Sequence, residues 1–275
     1  MLHSSTSRFV LNCRHGYPDR QSYVTEEILS LDAPGCLGLA DALADTAENA
    51  PSIGFLREGR AKAWILGPLP GFKAAIVRWD DLPEEPVAFG SDPDAMAKLL
   101  AEMEGWTSVD TPALVAATLS RLITGMTSRS THLHEGVVYQ LLSPVVVIRN
   151  EHVRELTPAD EPLVSPEDRQ AARDEGWRID FSTLHAGAIV EGRVVSFVGG
   201  GKVSSRFGDM GAFTLMAFRG RGYATAAACI VASRLQDQGL IPIWSTGVGN
   251  PASMAVPAKL GFSEVLPRRF YICFD

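Results

Sequence analysis

Residues 218–235 read FRGRGYATAAACIVASRL, in which two glycines, two arginines and a tyrosine run directly into a small-residue pattern of helical spacing. The preceding stretch, AFTLMA at 212–217, has the composition of a strand. Gly220 and Gly222 permit backbone conformations and close approaches that a Cβ resists. A strand before and a helix after such a turn aim successive N–H groups at one point. The first turn of a helix adds unpaired donors and a partial positive charge. A phosphate or pyrophosphate is the natural occupant, and Arg219 and Arg221 bring full charges to the same place. Taken alone, the hexapeptide RGRGYA is equally consistent with a solvated glycine-rich turn. It is not a Walker loop, because the required Lys and hydroxyl are absent. It is a poor dinucleotide fingerprint, because Thr225 stands at the third glycine position.

Working outward, the second half alternates strands and helices. HAGAIVEGRVVSFVGGG reads as a hairpin turning at Glu191-Gly192. The helix from 222 to about 238 stops at Gly239, and IPIWST is a strand. NPASMAVPAKLGF opens as a helix with Asn250 as cap and Pro251 at its first position, and RRFYICF is a terminal strand. This order predicts an α/β (α+β) domain, a mixed and mainly antiparallel sheet splayed around a β-α-β unit. Upstream, an apolar strand is expected at 145–148, followed by a helix start at TPAD. The GGG at 199–201 suggests a mobile loop or bulge.

The first half reads as a smaller α/β domain. KAWIL and FKAAIVRW flank the turn GPLPG, and DPDAMAKLLAEMEG is a helix. TPALVAATLSRLITG repeats that pattern, with Thr111 as cap, Pro112 in the first turn and Gly125 as stop. GVVYQLLS is then a strand. The expected division is 1–142 and 143–275, and no internal repeat is visible in the sequence.

The chain of 275 residues has 46% hydrophobic and 21% charged residues, an ordinary globular composition large enough for two domains. Its net charge of −7 argues against general nucleic-acid binding, which needs a broad basic face. Cys13, Cys36, Cys229 and Cys273 follow no C-x-x-C or framework spacing, as expected of reduced thiols in a cytoplasmic protein. The first twenty residues carry no signal-peptide apolar run. No stretch reaches the roughly 18 apolar residues of a membrane span. Nothing in the composition stands against a homodimer.

Two motifs at their mutual spacing decide the family reading. Arg219, Gly222 and Ala224 form R-x-x-G-x-A after a strand, and Asn250, Ser253 and Lys259-Leu260-Gly261-Phe262 follow a later strand. Together they resemble the GNAT superfamily of acyl-CoA-dependent N-acyltransferases, over roughly 145–275. The resemblance implies acetyl-CoA as acyl donor, and no metal is expected. It implies an amine acceptor on a small molecule, amino acid or peptide, acetylated by direct attack on the thioester. Phe213, Thr214 and Leu215 would offer backbone groups to the pantetheine arm. Arg219, Gly220, Arg221, Gly222, Tyr223, Ala224 and Thr225 would hold the pyrophosphate, with Asn250 and Ser253 near the arm and thiol.

The match is incomplete at one position. Many members place a tyrosine seven residues after the motif Asn, as general acid for the leaving thiolate, and here that position is Pro257. Ser253 or a water would then protonate the thiolate, or it would leave unaided. The alternative is a non-catalytic acyl-CoA-binding or regulatory module. Asp209 is the best-placed general base, set against a solvated loop acid, and His185 is a second candidate set against a strand-end surface residue. His132 and His134 in THLHEG share a strand face, but no third ligand is apparent, so they read as a non-metal pair.

Overall fold

The computed structural model describes residues 27–177, 179 and 181–275. The described chain begins with β1 (Ile28–Ser30), α1 (Ala33–Ala42) and α2 (Ala50–Arg57). The strands β2 (Ala61–Leu66), β3 (Ala74–Trp79) and β4 (Val87–Gly90) follow, then α3 (Pro93–Ala101), β5 (Ser108–Pro112), α4 (Ala113–Thr127) and β6 (Thr131–Gln140). After a linker a similar series returns. It consists of β7 (Val153–Leu156), a 3-10 turn (Pro158–Leu163), α5 (Pro166–Asp174), β8 (Leu184–Val190), β9 (Arg193–Lys202) and β10 (Phe207–Thr214). It closes with α6 (Tyr223–Asp237), β11 (Ile241–Gly247), α7 (Pro251–Leu260) and β12 (Ser263–Phe274).

The twelve strands of the described residues join one sheet, in the order β1-β2-β3-β4-β5-β12-β6-β11-β10-β9-β8-β7. Replacing each strand by its counterpart six places on gives the same order reversed. The chain therefore repeats in topology where its sequence shows no repeat. Hydrogen bonding is antiparallel except between β4 and β5 and between β10 and β11. Each of these parallel pairs is bridged by a helix, α3 and α6, because a parallel connection needs a crossover. The two last strands of the series change places. β12 lies between β5 and β6, and β6 lies between β12 and β11.

The alternation of side chains along each strand distributes the core between two faces. On one face α6 and α7 cover Val137, Met210 and Trp244, and α3 and α4 cover Ile76, Val109 and Ile272. On the other, α1 and α2 cover Ala63, Val77 and Val87, and the segment around α5 covers Phe197 and Phe213. Phe197, Phe213 and Trp244 are thus core, and so is Trp106.

Several sequence expectations are corrected. Residues 145–148 form no strand. They pass over α6 and α7, with Val145 N donating to Gln236 Oε1 and Val146 N to the Leu260 carbonyl. Thr111 does not cap a helix. It lies in β5 paired with Phe270, and α4 starts after Pro112. The GGG at 199–201 is regular β9 ladder, and the irregularity falls at Ala188/Ile189 instead. At Gly200 a Cβ would sit 2.4 Å from Val231, so the glycine admits α6 close to the sheet. Cys13 lies outside the described residues, and Cys36, Cys229 and Cys273 are free thiols.

The exchanged strand is pinned by a largely buried ion pair. Arg269 Nε on β12 donates to Asp110 Oδ1 on β5 at 2.7 Å, and Arg269 Nη2 to the Ala88 carbonyl on β4 at 3.1 Å. Removing one partner of such a pair strands a buried charge. We expect Arg269→Ala to cost about 3–5 kcal/mol in denaturant unfolding, and Asp110→Leu combined with Arg269→Met to recover most of that loss.

Candidate active site

β10 and β11 pair from Phe207 and Ile241 only as far as Met210 and Trp244. Beyond that point β10 continues to Thr214 on the side of β9, while β11 continues to Gly247 on the side of β6. The two strands part, and a wedge opens at their carboxyl ends. In open α/β sheets this is where ligands bind.

The glycine turn stands at the same end. Gly220 (φ +76°) and Gly222 (φ +79°) are both left-handed, and a Cβ at either would meet nothing within 4 Å. The glycines are there for conformation and leave the space beside them open. Gly222 is the N-cap of α6, so no side chain caps this helix, and its first turn holds no acid. The counterpart helix α3 is built the opposite way. Asp92 accepts from Ala95 N at 3.0 Å, and Asp94 adds a second carboxylate to the first turn.

The cations of the turn differ from expectation. Arg219 Nη2 lies 2.7 and 2.8 Å from the two carboxylate oxygens of Glu175, and its Nε donates to the Thr214 carbonyl at 2.9 Å. Its charge is already paired. Arg221 lies over the Phe218 ring, 5.1 Å from its centroid, and donates to the Ala217 carbonyl. Tyr223 and Thr225 are buried, and Ala224 packs on the core under α6. On β10 the Leu215 N–H is taken by the Val195 carbonyl at 3.0 Å. The Thr214 hydroxyl meets Ser196 Oγ at 2.8 Å, and the Phe213 side chain is core.

Asn250 caps α7, its Oδ1 accepting from Ser253 N at 3.1 Å. Ser253 Oγ accepts from Trp244 Nε1 at 3.1 Å, so its own proton remains available to donate. Trp244 is the last β11 residue paired with β10, which sets Ser253 beside the wedge. Pro257 is buried within α7 and supplies no N–H to the Ser253 carbonyl one turn earlier.

Asp209 is no solvated loop acid. It is the third residue of β10, on the face opposite α6, and no cation pairs with it among the described residues. Burial pushes its carboxyl from 3.8 up to about 7, against a hydrogen bond from Met210 N to Oδ1 at 2.9 Å. It lines a cavity with Glu48 and Trp79 from the first half, Asp110 on β5, Tyr271 on β12 and Ser245 on β11. Glu48 Oε2 is buried there, with no hydrogen-bond partner among the described residues. The Asp110 charge, with burial, pushes the Tyr271 phenol up, so it stays a neutral donor. His185 is not at the surface either: it is buried on β8 against Phe181 and Phe197, with Nδ1 3.1 Å from the Thr183 carbonyl.

Glu48, Asp110 and Tyr271 escaped the sequence reading. An acid in the apolar strand SVDTP could have marked Asp110. Nothing in DTAENAP marks Glu48, because only the packing of the segment before α2 against β10 and β11 brings it there.

A family model described as GNAT acetyltransferase matches residues 180–271, which contain β8 to β11, the glycine turn and most of β12. An uncharacterized N-acetyltransferase of Bacillus subtilis, YdfB, is 30% identical over 91 residues, 33% of this chain and 33% of that protein. The alignment thus spans about a third of the curated relative's length. Among solved structures, a Drosophila protein is similar at a TM-score of 0.65 and 11% identity, covering 91% of this chain and 99% of its own. A tandem GNAT protein from the clavulanic acid biosynthesis pathway is similar at 0.54 and 15%, covering 90% and 98%. A GNAT-family acetyltransferase of Colwellia psychrerythraea is similar at 0.51 and 13%, covering 90% and 99%. At these identities the structures speak for the fold. Residues 180–271 thus match a GNAT acetyltransferase model, within a fold that is similar to those of GNAT-family structures.

The raised Asp209 pKa has a consequence for stability. Between pH 3.8 and about 7 the folded chain keeps a proton that the unfolded chain releases, so stability falls as pH rises through that window. Asp209→Asn should flatten this part of the Tm–pH curve and raise Tm at pH 8, as followed by scanning calorimetry.

Proposed function

We propose that this chain is an N-acetyltransferase that moves an acetyl group from acetyl-CoA to a primary amine of a small molecule, amino acid or peptide. The observation that carries the reading is Asp209, a desolvated carboxylate with no ion partner among the described residues, beside the point where β10 and β11 part. Acetyl-CoA supplies the activated thioester. The uncapped amides at the start of α6 suit its pyrophosphate, because the dipole and free donors favour an anion and no Cβ blocks the approach. The acids at the start of α3 repel one, which argues for a single acyl-CoA per chain.

The acceptor enters from the cavity between the halves. Asp209 and Glu48 suit a cationic amine, and the aromatic faces of Trp79 and Tyr271 add to that attraction. An amine of pKa near 10 must lose a proton before it can attack, and a carboxylate that ionises near neutral pH is suited to accept it. Attack then forms the C–N bond and breaks the C–S bond. Ser253, its oxygen held by Trp244, is suited to return a proton to the departing thiolate. Holding amine and thioester together supplies much of the rate.

A second reading, an acyl-CoA-binding module without turnover, is favoured by Pro257, which offers no donor where the resemblance implies a tyrosine. Thiol release on incubation with acetyl-CoA and an amine panel separates the two, and no release from any amine would leave only the module.

For the enzyme, Asp209→Asn should lower kcat/KM by roughly 10²–10⁴, with partial recovery at high pH. The wild-type kcat/KM should rise through pH about 7 as Asp209 ionises. A rise in KM alone would make the carboxylate an attractor of the amine and no base. Gly222→Asp should weaken acetyl-CoA binding by more than tenfold, about 1.4 kcal/mol, in calorimetry with the fold intact, and wild-type stoichiometry should be about one.

A further inference from the structure

His132 and His134 lie two residues apart on β6, so they share a face. In the antiparallel register of β6 with β12, Cys273 is directly opposite His132, and Tyr271 opposite His134. Strand exchange thus delivers a thiol to the histidine pair, the third ligand that the sequence did not disclose. The ligating atoms of His132, His134 and Cys273 all lie within 4.8 Å of one another. The two Nε2 atoms face each other at 2.9 Å, and the rings meet edge to face.

The surroundings favour a cation at that point. Asp275 Oδ1 lies 2.6 Å from His132 Nδ1. An imidazole whose Nδ1–H is held by a carboxylate turns its Nε2 lone pair the other way, here toward His134 and Cys273. This is the carboxylate–histidine arrangement that orients metal-bound imidazoles. Both histidines are exposed, and Cys273 is half-buried, which leaves an entry path for an ion and for water as a fourth ligand.

We propose that His132, His134 and Cys273 bind Zn²⁺ or a similar borderline divalent metal, with Asp275 as positioning residue. Two nitrogens and one sulfur match the ligands of tetrahedral zinc, at about 2.0–2.1 Å for Zn–N and 2.3 Å for Zn–S. Small rotations of exposed side chains draw the three atoms in. The thiol gives up its proton to solvent as the Zn–S bond forms. The ion would cross-link β6 to β12, the two exchanged strands, one step along the sheet from Tyr271 and the cavity.

The test uses the full chain and the metal alone. Zn²⁺ titration by competition with a chromophoric chelator should give one ion per chain, and Zn²⁺ should raise Tm. Co²⁺ in its place should show the visible bands of a tetrahedral site and a thiolate-to-cobalt charge-transfer band. Cys273→Ser should abolish that charge-transfer band, and His132→Ala should weaken binding at least tenfold. Asp275→Asn should weaken it roughly 10–100-fold, the usual effect of losing such an outer partner. Failure of the wild-type chain to bind stoichiometrically overturns the site. So does unchanged binding in a His132→Ala/His134→Ala variant that folds normally by circular dichroism.

Discussion

Everything at the centre of this molecule depends on β12 inserting between β5 and β6. A strand that leaves its own series must satisfy its backbone donors and acceptors on both edges, and β12 does so from Arg269 to Cys273. The exchange turns two topologically similar series into one sheet. It also forces Arg269 into the interior, where Asp110 and the Ala88 carbonyl compensate its charge. A buried guanidinium has few acceptable positions, so this pair fixes the register of the insertion as well as its existence.

The same insertion builds the cavity. Tyr271 and Arg269 arrive on β12, Asp110 is already on β5, and Asp209 comes from β10 in the other series. The segment before α2 supplies Glu48 and closes the far side. Asp209 has a backbone hydrogen bond from Met210 and no cation partner among the described residues, and desolvation raises its pKa to about 7. An unpaired buried carboxylate costs stability, and such groups persist where a site has a use for them.

The two series have diverged at one physical detail, the start of the helix after the fourth strand. In the second series a left-handed glycine leaves the amides of α6 uncapped and open. In the first, Asp92 occupies the corresponding amides of α3, and Asp94 adds charge. One helix start favours an anion and the other rejects it, although both follow a parallel-paired strand in the same topology. Arg219 does less at the open turn than its charge suggests, because Glu175 holds it.

The sequence by itself determined the elements whose signals are local. The glycine turn, the hairpin at Glu191-Gly192, the Asn250 cap and the helix end at Gly239 all depend on residues within a few positions of one another. They were legible for that reason, as was the resemblance of the second half to the GNAT superfamily. Local signals misled where tertiary contacts outweighed them. Thr111-Pro112 has the chemistry of a helix start, yet β12 pairs with it and holds it in a strand. The apolar run 145–148 has the composition of a strand, yet α6 and α7 offer it partners and no sheet edge does. Only the tertiary structure decided the single sheet, the strand exchange and the meeting of Glu48 with Asp209 and of Cys273 with His132. Each of these joins residues more than a hundred positions apart, through a register fixed by burial and backbone hydrogen bonding, and no short window of sequence contains both partners.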